Sequence, residues 1–260
     1  MKVDLSGKSA LVCGASKGIG KAIVEELSEQ GARVILLSRD KDALESLKKR
    51  LTQPERHFVL GLDFNNLPEL IDQVRQMVEE LSVIYILVCN SSGPKSGPLL
   101  EAKPDEFLKA FQQHILANHL LAQLLVPKMI ETGFGRIINI ISTSVKMPIA
   151  QLGVSNTIRG AVANWSKTLA NELGPFGVTV NNVLPGYTAT ERLDSLLTQT
   201  AKASGRSSQE IGEEWKKAVP LRRFADPRET ARAVAFLASS AADYINGINL
   251  PVDGGRLACL

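Results

Sequence analysis

Short runs of Val, Ile and Leu alternate along this chain with longer stretches whose apolar residues recur every three or four positions. The runs at 9–13, 32–37, 58–62, 83–89, 137–141 and 178–183 lack the period-two alternation of a half-exposed strand, so they predict strands buried on both faces. Between them, 19–30, 41–51, 67–81, 104–131 and 151–173 carry helical spacing, as in Ile23 and Leu27 or Val74, Met77, Val78 and Leu81. A further helix is expected at 229–238 and a last strand at 248–252. Strands that each receive their own crossover helix imply a parallel sheet with helices on both faces and right-handed connections. No Pro, Gly or Ser-rich linker divides the chain, which predicts one doubly wound α/β domain over residues 1–260.

One segment breaks the rhythm. Residues 188–220 are polar and helix-forming, with a loose centre at Ser204-Gly205-Arg206-Ser207-Ser208. A long irregular stretch in a compact domain is usually functional. Leu193, Leu196 and Leu197, then Ile211 and Trp215, have the spacing of two short amphipathic helices. Two readings fit: a lid closing over a substrate, or helices that simply pack on the domain.

Composition narrows the class. With 44% hydrophobic and 22% charged residues the chain is an ordinary globular protein, which excludes disordered and collagen-like types. The formal charge of +3, from 30 basic against 27 acidic residues, is small and dispersed, so no nucleic-acid face is expected. Cys13, Cys89 and Cys259 have no metal spacing and read as reduced thiols. His114 and His119 would sit about 140° apart on a helix, so no metal site is expected. No apolar run approaches the ~18 residues of a membrane span and no signal segment is visible, so the expectation is a cytoplasmic protein with no membrane partner.

Chemistry enters directly after the first predicted strand, at Gly14-Ala15-Ser16-Lys17-Gly18-Ile19-Gly20 opening into a helix. Glycines there let the backbone approach a pyrophosphate, and the helix N-terminus offers free N–H groups and a positive dipole end. The second strand ends at Ser38-Arg39-Asp40, where a dinucleotide's adenosine ribose would lie. An acidic strand tip selects a 2′-hydroxyl, whereas Ser38, Arg39 and Lys17 suit a 2′-phosphate, so NADP(H) is favoured over NAD(H).

Together with Asp63, Asn90-Ser91-Ser92-Gly93, Gly135-Arg136-Ile137-Ile138-Asn139-Ile140 before a Ser, Asn181-Asn182-Val183-Leu184-Pro185-Gly186 with Thr188 and Thr190, and Val252-Asp253-Gly254-Gly255, this motif resembles the short-chain dehydrogenase/reductase family. The likeness covers essentially the whole chain and is nearest the 3-oxoacyl-acyl-carrier-protein reductase branch. It implies a single Rossmann-type domain with a seven-stranded sheet in the order 3-2-1-4-5-6-7. It further implies Asp63 at the adenine, Asn90 and Gly93 along the cofactor, and Pro185, Gly186 and Thr188 near the nicotinamide. A homotetramer or homodimer is implied as well.

The resemblance fails at the catalytic positions. The family uses Ser, Tyr and Lys with a supporting Asn; Ser142 matches the Ser, but the Tyr and Lys positions hold Ser155 and Arg159, and the Asn falls at His114 or Asn118. A serine hydroxyl is a poor acid beside a phenol, and a guanidinium does not pass a proton. General acid catalysis is worth about 10²–10⁴ in rate, so loss of the Tyr slows such an enzyme more than it silences it. Candidate replacement acids are His114, whose ordinary pKa of about 6.5 suits the task, Tyr187 and Lys146. The resulting expectation is an NADP(H)-dependent oxidoreductase acting on a carbonyl or alcohol of a small, fairly apolar substrate, a 3-oxoacyl thioester among the options. The alternative is a non-catalytic NADP(H)-binding regulatory or structural relative.

Overall fold

A computed structural model describes residues 3–259 of the chain. Its centre is a parallel sheet of seven strands: β1 (Ser9–Cys13), β2 (Arg33–Ser38), β3 (Phe58–Gly61), β4 (Ile86–Cys89), β5 (Gly135–Ile140), β6 (Val178–Pro185) and β7 (Asn249–Val252). Their spatial order is β3-β2-β1-β4-β5-β6-β7, as the family resemblance implies. Nine α-helices connect them among the described residues: α1 (Gly18–Glu29), α2 (Lys41–Lys48), α3 (Leu67–Leu81), α4 (Pro104–Phe111), α5 (Ala117–Thr132), α6 (Gly153–Leu173), α7 (Glu191–Ser204), α8 (Ser208–Lys217) and α9 (Pro227–Ala238).

The unbroken apolar runs are explained by two cores, one on each face of the sheet. One face packs Ala10, Val12, Val34 and Leu36 against Ile23 and Leu27 of α1 and Val234 and Leu237 of α9. The other packs Leu11, Ile35, Leu87 and Ile137 against Val74 of α3 and Leu121 and Leu125 of α5. At about 1.5–3 kcal/mol for each fully buried aliphatic side chain, these two layers are the main favourable contribution to stability.

Three expectations change. The helix expected over 104–131 is interrupted by a π-helical turn at Gln112–Leu116, which joins α4 to α5 and holds His114. Such turns collect at functional sites. β6 extends past Val183 to Pro185, because β7 pairs with it as far as Pro185 opposite Val252. The loose centre of 188–220 is ordered: Gly205 ends α7 in the left-handed conformation (φ +68°), and Ser207 opens α8 with a capping box closed by Glu210. Leu193 and Ile211 are buried, and Leu196, Leu197 and Trp215 are half-buried, so both helices do turn an apolar face inward.

His57 fastens β2 from the loop before β3. It is 2% exposed, its Nδ1 accepts the Val34 N–H at 3.0 Å, and its Nε2 lies 3.0 Å from the Thr52 carbonyl oxygen. With Nδ1 already an acceptor, the ring is neutral and carries its proton on Nε2. Burial pushes its pKa below the ordinary value, the Thr52 carbonyl opposes this, and Arg56 and Lys48 add to the lowering. The unfolded chain therefore binds more protons than the folded one once the pH falls below the unfolded histidine's pKa of about 6.5. This contribution to stability is constant above about pH 6.5 and is lost as the pH drops toward the folded pKa. In urea titrations the unfolding midpoint should fall between about pH 7 and pH 5. The fall should shrink in His57→Gln, and an undiminished slope in that variant would exclude His57 as its source.

Candidate active site

Where β1 passes into α1 the chain leaves no room for a side chain at Gly14 or Gly20. A Cβ on Gly14 would lie 2.3 Å from the Asn90 carbonyl oxygen, and one on Gly20 would lie 2.0 Å from the Gly14 carbonyl oxygen and 2.7 Å from Asn90 Nδ2. Asn90, just past β4, closes the turn by donating its amide to the carbonyls of Cys13 and Gly14, each at 3.3 Å. The helix behind shares with α5, α6 and α7 a start without a side-chain cap. α2, α3, α8 and α9 begin with a side-chain cap, from Asp40, Asn66, Ser207 and Asp226. α1 has no side-chain cap and no acidic residue in its first turn, so the free N–H groups of its first turn face the glycine loop. That is the chemistry of an anion site.

The ribose end fits a phosphate as well. Ser38 is 7% exposed and its Oγ has no partner, while the adjoining Arg39 is exposed, with no ion pair among the described residues. Lys17 behaves otherwise than its sequence position suggested. Its Nζ is 2.7 Å from Glu191 Oε2 on the first turn of α7, because the start of that helix lies over the loop, with the Thr190 methyl 3.3 Å from where a Cβ on Gly18 would be. Both partners are over 70% exposed, and exposed pairs are worth about 0–1 kcal/mol, so a phosphate can displace Glu191. Asp63 is half-buried and accepts from the backbone and side-chain amides of Asn65, both at 2.9 Å. Ser16 and Gly93 are half-buried, and Ile19 packs on the core beneath α1.

Beyond β4 and β5 lies the chemical end. Arg159, on α6, is 8% exposed and satisfied only by carbonyls: Nη1 donates to Ile140 at 2.9 Å and Nη2 to Ser91 at 3.5 Å. Burial lowers its pKa to about 10, with the nearby Arg192 charge contributing. It remains protonated, and its two bonds tie the ends of β4 and β5 to α6. Ser142 follows Ile140 by two residues; its Oγ accepts the Ser144 N–H at 3.0 Å, leaving its own O–H free. Ser155 stands one helical turn before Arg159, and its hydroxyl has no hydrogen-bond partner among the described residues.

His114 is 2% exposed in the π-helical turn, with Nδ1 2.7 Å from Ser91 Oγ and Nε2 buried without a partner. Burial pushes its pKa well below 6.5, Arg159 lowers it further, and the Ser92 backbone opposes. The ring is therefore neutral near pH 7, which corrects the expectation of an imidazolium acid resting on the ordinary value. Asn118 instead donates back to the His114 carbonyl at 2.8 Å. Lys146 is exposed at the end of the short helix after Ser142.

At the mouth, the half-buried Pro185 and Gly186 end β6, and a Cβ on Gly186 would meet Asp253 at 2.7 Å. Thr188, 5% exposed, donates to the Gly186 carbonyl at 3.3 Å. Tyr187 stacks on Trp215 of α8, with ring centroids 4.8 Å apart. Sequence reasoning missed three contributors here: Ser91, which bridges His114 and Arg159; Arg192 of α7, which donates to the Pro94 carbonyl at 3.1 Å; and Arg256, which meets Tyr187 and Thr143. The available signal for Arg256 was a cation directly after Gly254-Gly255 with no acidic residue following it.

A family model described as enoyl-(acyl carrier protein) reductase matches residues 14–256. The chain is 34% identical over 254 residues to the 3-oxoacyl-[acyl-carrier-protein] reductase FabG of Haemophilus influenzae, covering 96% of this chain and 98% of that one. It is 30% identical to the NADPH-dependent reductase BacG of Bacillus subtilis, covering 97% and 99%. Among solved structures, L-sorbose reductase from Gluconobacter frateurii, complexed with NADPH and L-sorbose, superposes with a TM-score of 0.92 at 30% identity over the full length of both chains. With this coverage, the same strand order and the glycine loop in place, the chain belongs to the short-chain dehydrogenase/reductase family, in the branch of the acyl-carrier-protein reductases.

Proposed function

We propose that this protein is an NADP(H)-dependent oxidoreductase that reduces a carbonyl, or oxidises the corresponding alcohol, of a small molecule. The observation that carries this reading is the uncapped, acid-free N-terminus of α1 behind a loop in which Gly14 and Gly20 have no room for a Cβ. Gly14, Ser16, Gly18, Ile19 and Gly20 would hold the pyrophosphate, Ser38 and Arg39 the 2′-phosphate, and Asp63 the adenine. Asn90, Gly93, Arg159, Pro185, Gly186 and Thr188 would hold the nicotinamide half. The names of two relatives, an NADPH-dependent reductase and a sorbose reductase complexed with NADPH, support the phosphorylated cofactor. Bound there, NADP(H) supplies or accepts the hydride.

The chain's own residues do the rest. Ser142 already accepts a backbone N–H, so its hydroxyl proton is available to a substrate oxygen, and Ser155 of α6 offers a second free hydroxyl. Arg159 is a positioning residue: its fixed positive charge favours an oxygen gaining negative charge, and its carbonyl bonds hold Ser142's strand in register with α6. His114, neutral and bonded to Ser91, can pass a proton as donor and acceptor but does not store one. The α7–α8 pair supports the lid reading of 188–220, with Lys17–Glu191 as a weak latch to the phosphate loop. Among the described residues no helix is long and apolar enough to cross a membrane, consistent with a cytoplasmic enzyme. Leu108, Phe111 and Leu116 are 67, 42 and 40% exposed along the α4–α5 stretch, which supports a homodimer or homotetramer.

The test is NADPH oxidation across a panel of small ketones and 3-oxoacyl thioesters. Ser142→Ala should lower kcat about 10²- to 10³-fold, the range for one donor to a developing oxyanion, while calorimetry shows unchanged NADPH affinity. Binding without turnover of any panel member would reject the enzyme in favour of a cofactor-binding regulator. Arg39→Ala should weaken NADPH about tenfold, the worth of a charged hydrogen bond, and leave NADH affinity unaltered; equal losses for both would remove Arg39 from the phosphate site.

A further inference from the structure

The site holds more positive charge than its own groups balance. Arg159, Arg192 and Arg256 surround it, and each is bonded only to neutral oxygens, with no carboxylate oxygen within 4.0 Å among the described residues. Elsewhere among the described residues Arg75, Arg136, Arg206, Arg223 and Arg228 pair with Asp or Glu, while others, Arg33 and Arg56 among them, do not, so the lack of a pair alone does not set these three apart. Arg159 is buried and Arg256 half-buried at the site, whereas Arg192 is exposed; a guanidinium shielded from water without a counter-charge leaves a place for a ligand to supply one.

Two of the three lie within reach of the cofactor site. Arg159 reaches Ser91 at the end of β4, and Arg192 sits on α7, two residues after Thr190, which packs over the phosphate loop. Arg256 stands at the opposite end. It follows β7, four strands from β1 in the sheet, which at about 4.8 Å per strand is roughly 19 Å from the loop that takes the pyrophosphate, and it touches Tyr187 between the nicotinamide-half residues Gly186 and Thr188. Its surroundings are those of the substrate end. Nη1 donates to Thr143 Oγ1 at 3.4 Å, Nη2 donates to the Tyr187 hydroxyl oxygen at 3.2 Å, and the guanidinium lies 4.4 Å from the Tyr187 ring centroid.

The group is held in place from both sides. Asp253 fixes the turn beneath it by accepting from Gly255 N at 3.0 Å and Leu257 N at 2.8 Å, so its carboxylate is spent on the backbone. Tyr187, on which Arg256 rests, is itself stacked on Trp215 and edge-packed by Phe224. A guanidinium has five N–H donors, and only two hydrogen bonds use them here. A planar fork with donors to spare, pre-oriented by an aromatic face, matches a carboxylate. Thr143 is the residue after Ser142, so the fork is tied to the same segment that carries the hydroxyl assigned to the reacting oxygen, and the acids to test vary the spacing between carboxylate and carbonyl.

We propose that Arg256 is the substrate-anion site and that the substrate is an oxo acid, or the hydroxy acid on the reverse reaction, instead of the apolar molecule its sequence suggested. This rests on the oxidoreductase reading above and adds the substrate's class to it.

The experiment compares 2-oxo, 3-oxo and 4-oxo carboxylic acids with their methyl esters, by NADPH oxidation and by calorimetric titration into the NADP⁺-loaded protein. At least one acid should exceed its ester about 10- to 100-fold in kcat/KM, the range a charge-assisted hydrogen bond is worth. In Arg256→Gln that advantage should vanish, chiefly through KM, with much less effect on the ester; Arg256→Lys should retain part of it. Unchanged NADPH affinity and thermal midpoint in both variants exclude misfolding as the cause. Equal turnover of acids and esters, or equal losses on both in Arg256→Gln, overturns the anion site and leaves the oxidoreductase intact. If no compound is turned over, the oxidoreductase reading falls, and titration alone decides Arg256: acid binding that Arg256→Gln abolishes supports the site, and no acid binding overturns it.

Discussion

Everything at the chemical end of this protein is arranged around a buried guanidinium that has no carboxylate. Arg159 keeps its charge because two main-chain carbonyls, at Ile140 and Ser91, face it across the ends of adjacent strands. Those bonds set where the chain turns after β4 and β5, and so where Ser142 and Ser91 stand. Burial keeps the His114 ring neutral, and the same charge adds to that effect. One buried cation thereby fixes the geometry of the donors and reinforces the protonation state of the neighbouring histidine. In the proposed function it would also face the negative charge that develops on a reacting oxygen. A lysine there could have moved; an arginine with both arms engaged cannot, and it works as a fixed electrostatic element in place of a proton carrier.

In the proposed reading the two ends of the site would recognise anions by different means. At the cofactor end the positive potential comes from backbone: an uncapped helix terminus and a turn with no room for a Cβ at Gly14 or Gly20. At the far end it comes from an arginine laid on a stacked pair of aromatic rings. Trp215 belongs to α8, so the helical pair over the site touches both ends, through Glu191 at the phosphate loop and through Trp215 at Tyr187. A ligand anion at either end competes with or adds to a contact of that pair. In the proposed lid reading, closure would have a physical cause in the charges of the bound molecules.

Much of this was legible in the sequence, and the failures have identifiable causes. Strand runs without alternation gave the two-faced sheet, and the fixed spacing from Ser142 located Ser155 and Arg159 on one face of α6. The π-helical turn at His114 was invisible because one extra residue barely disturbs a 3.6 periodicity. The neutral state of His114 and the pairing of Lys17 with Glu191 both arise from groups far apart in sequence, so local reading assigned each its ordinary behaviour. The segment over 204–208 was misjudged for another reason. Its signals, Gly205 followed by Ser207 and Glu210 as a capping box, were present, but a cluster of small polar residues reads as loop unless the spacing to the glutamate is weighed.

The central claim is that a site with Ser155 and Arg159 in place of Tyr and Lys still transfers hydride. The most direct measurement is a single-turnover reaction with NADPH deuterated at nicotinamide C4, followed by mass spectrometry of the product alcohol. The account predicts deuterium on the carbinol carbon, appearing at a rate that Ser142→Ala slows. Saturating cofactor and substrate with no label transferred would contradict it.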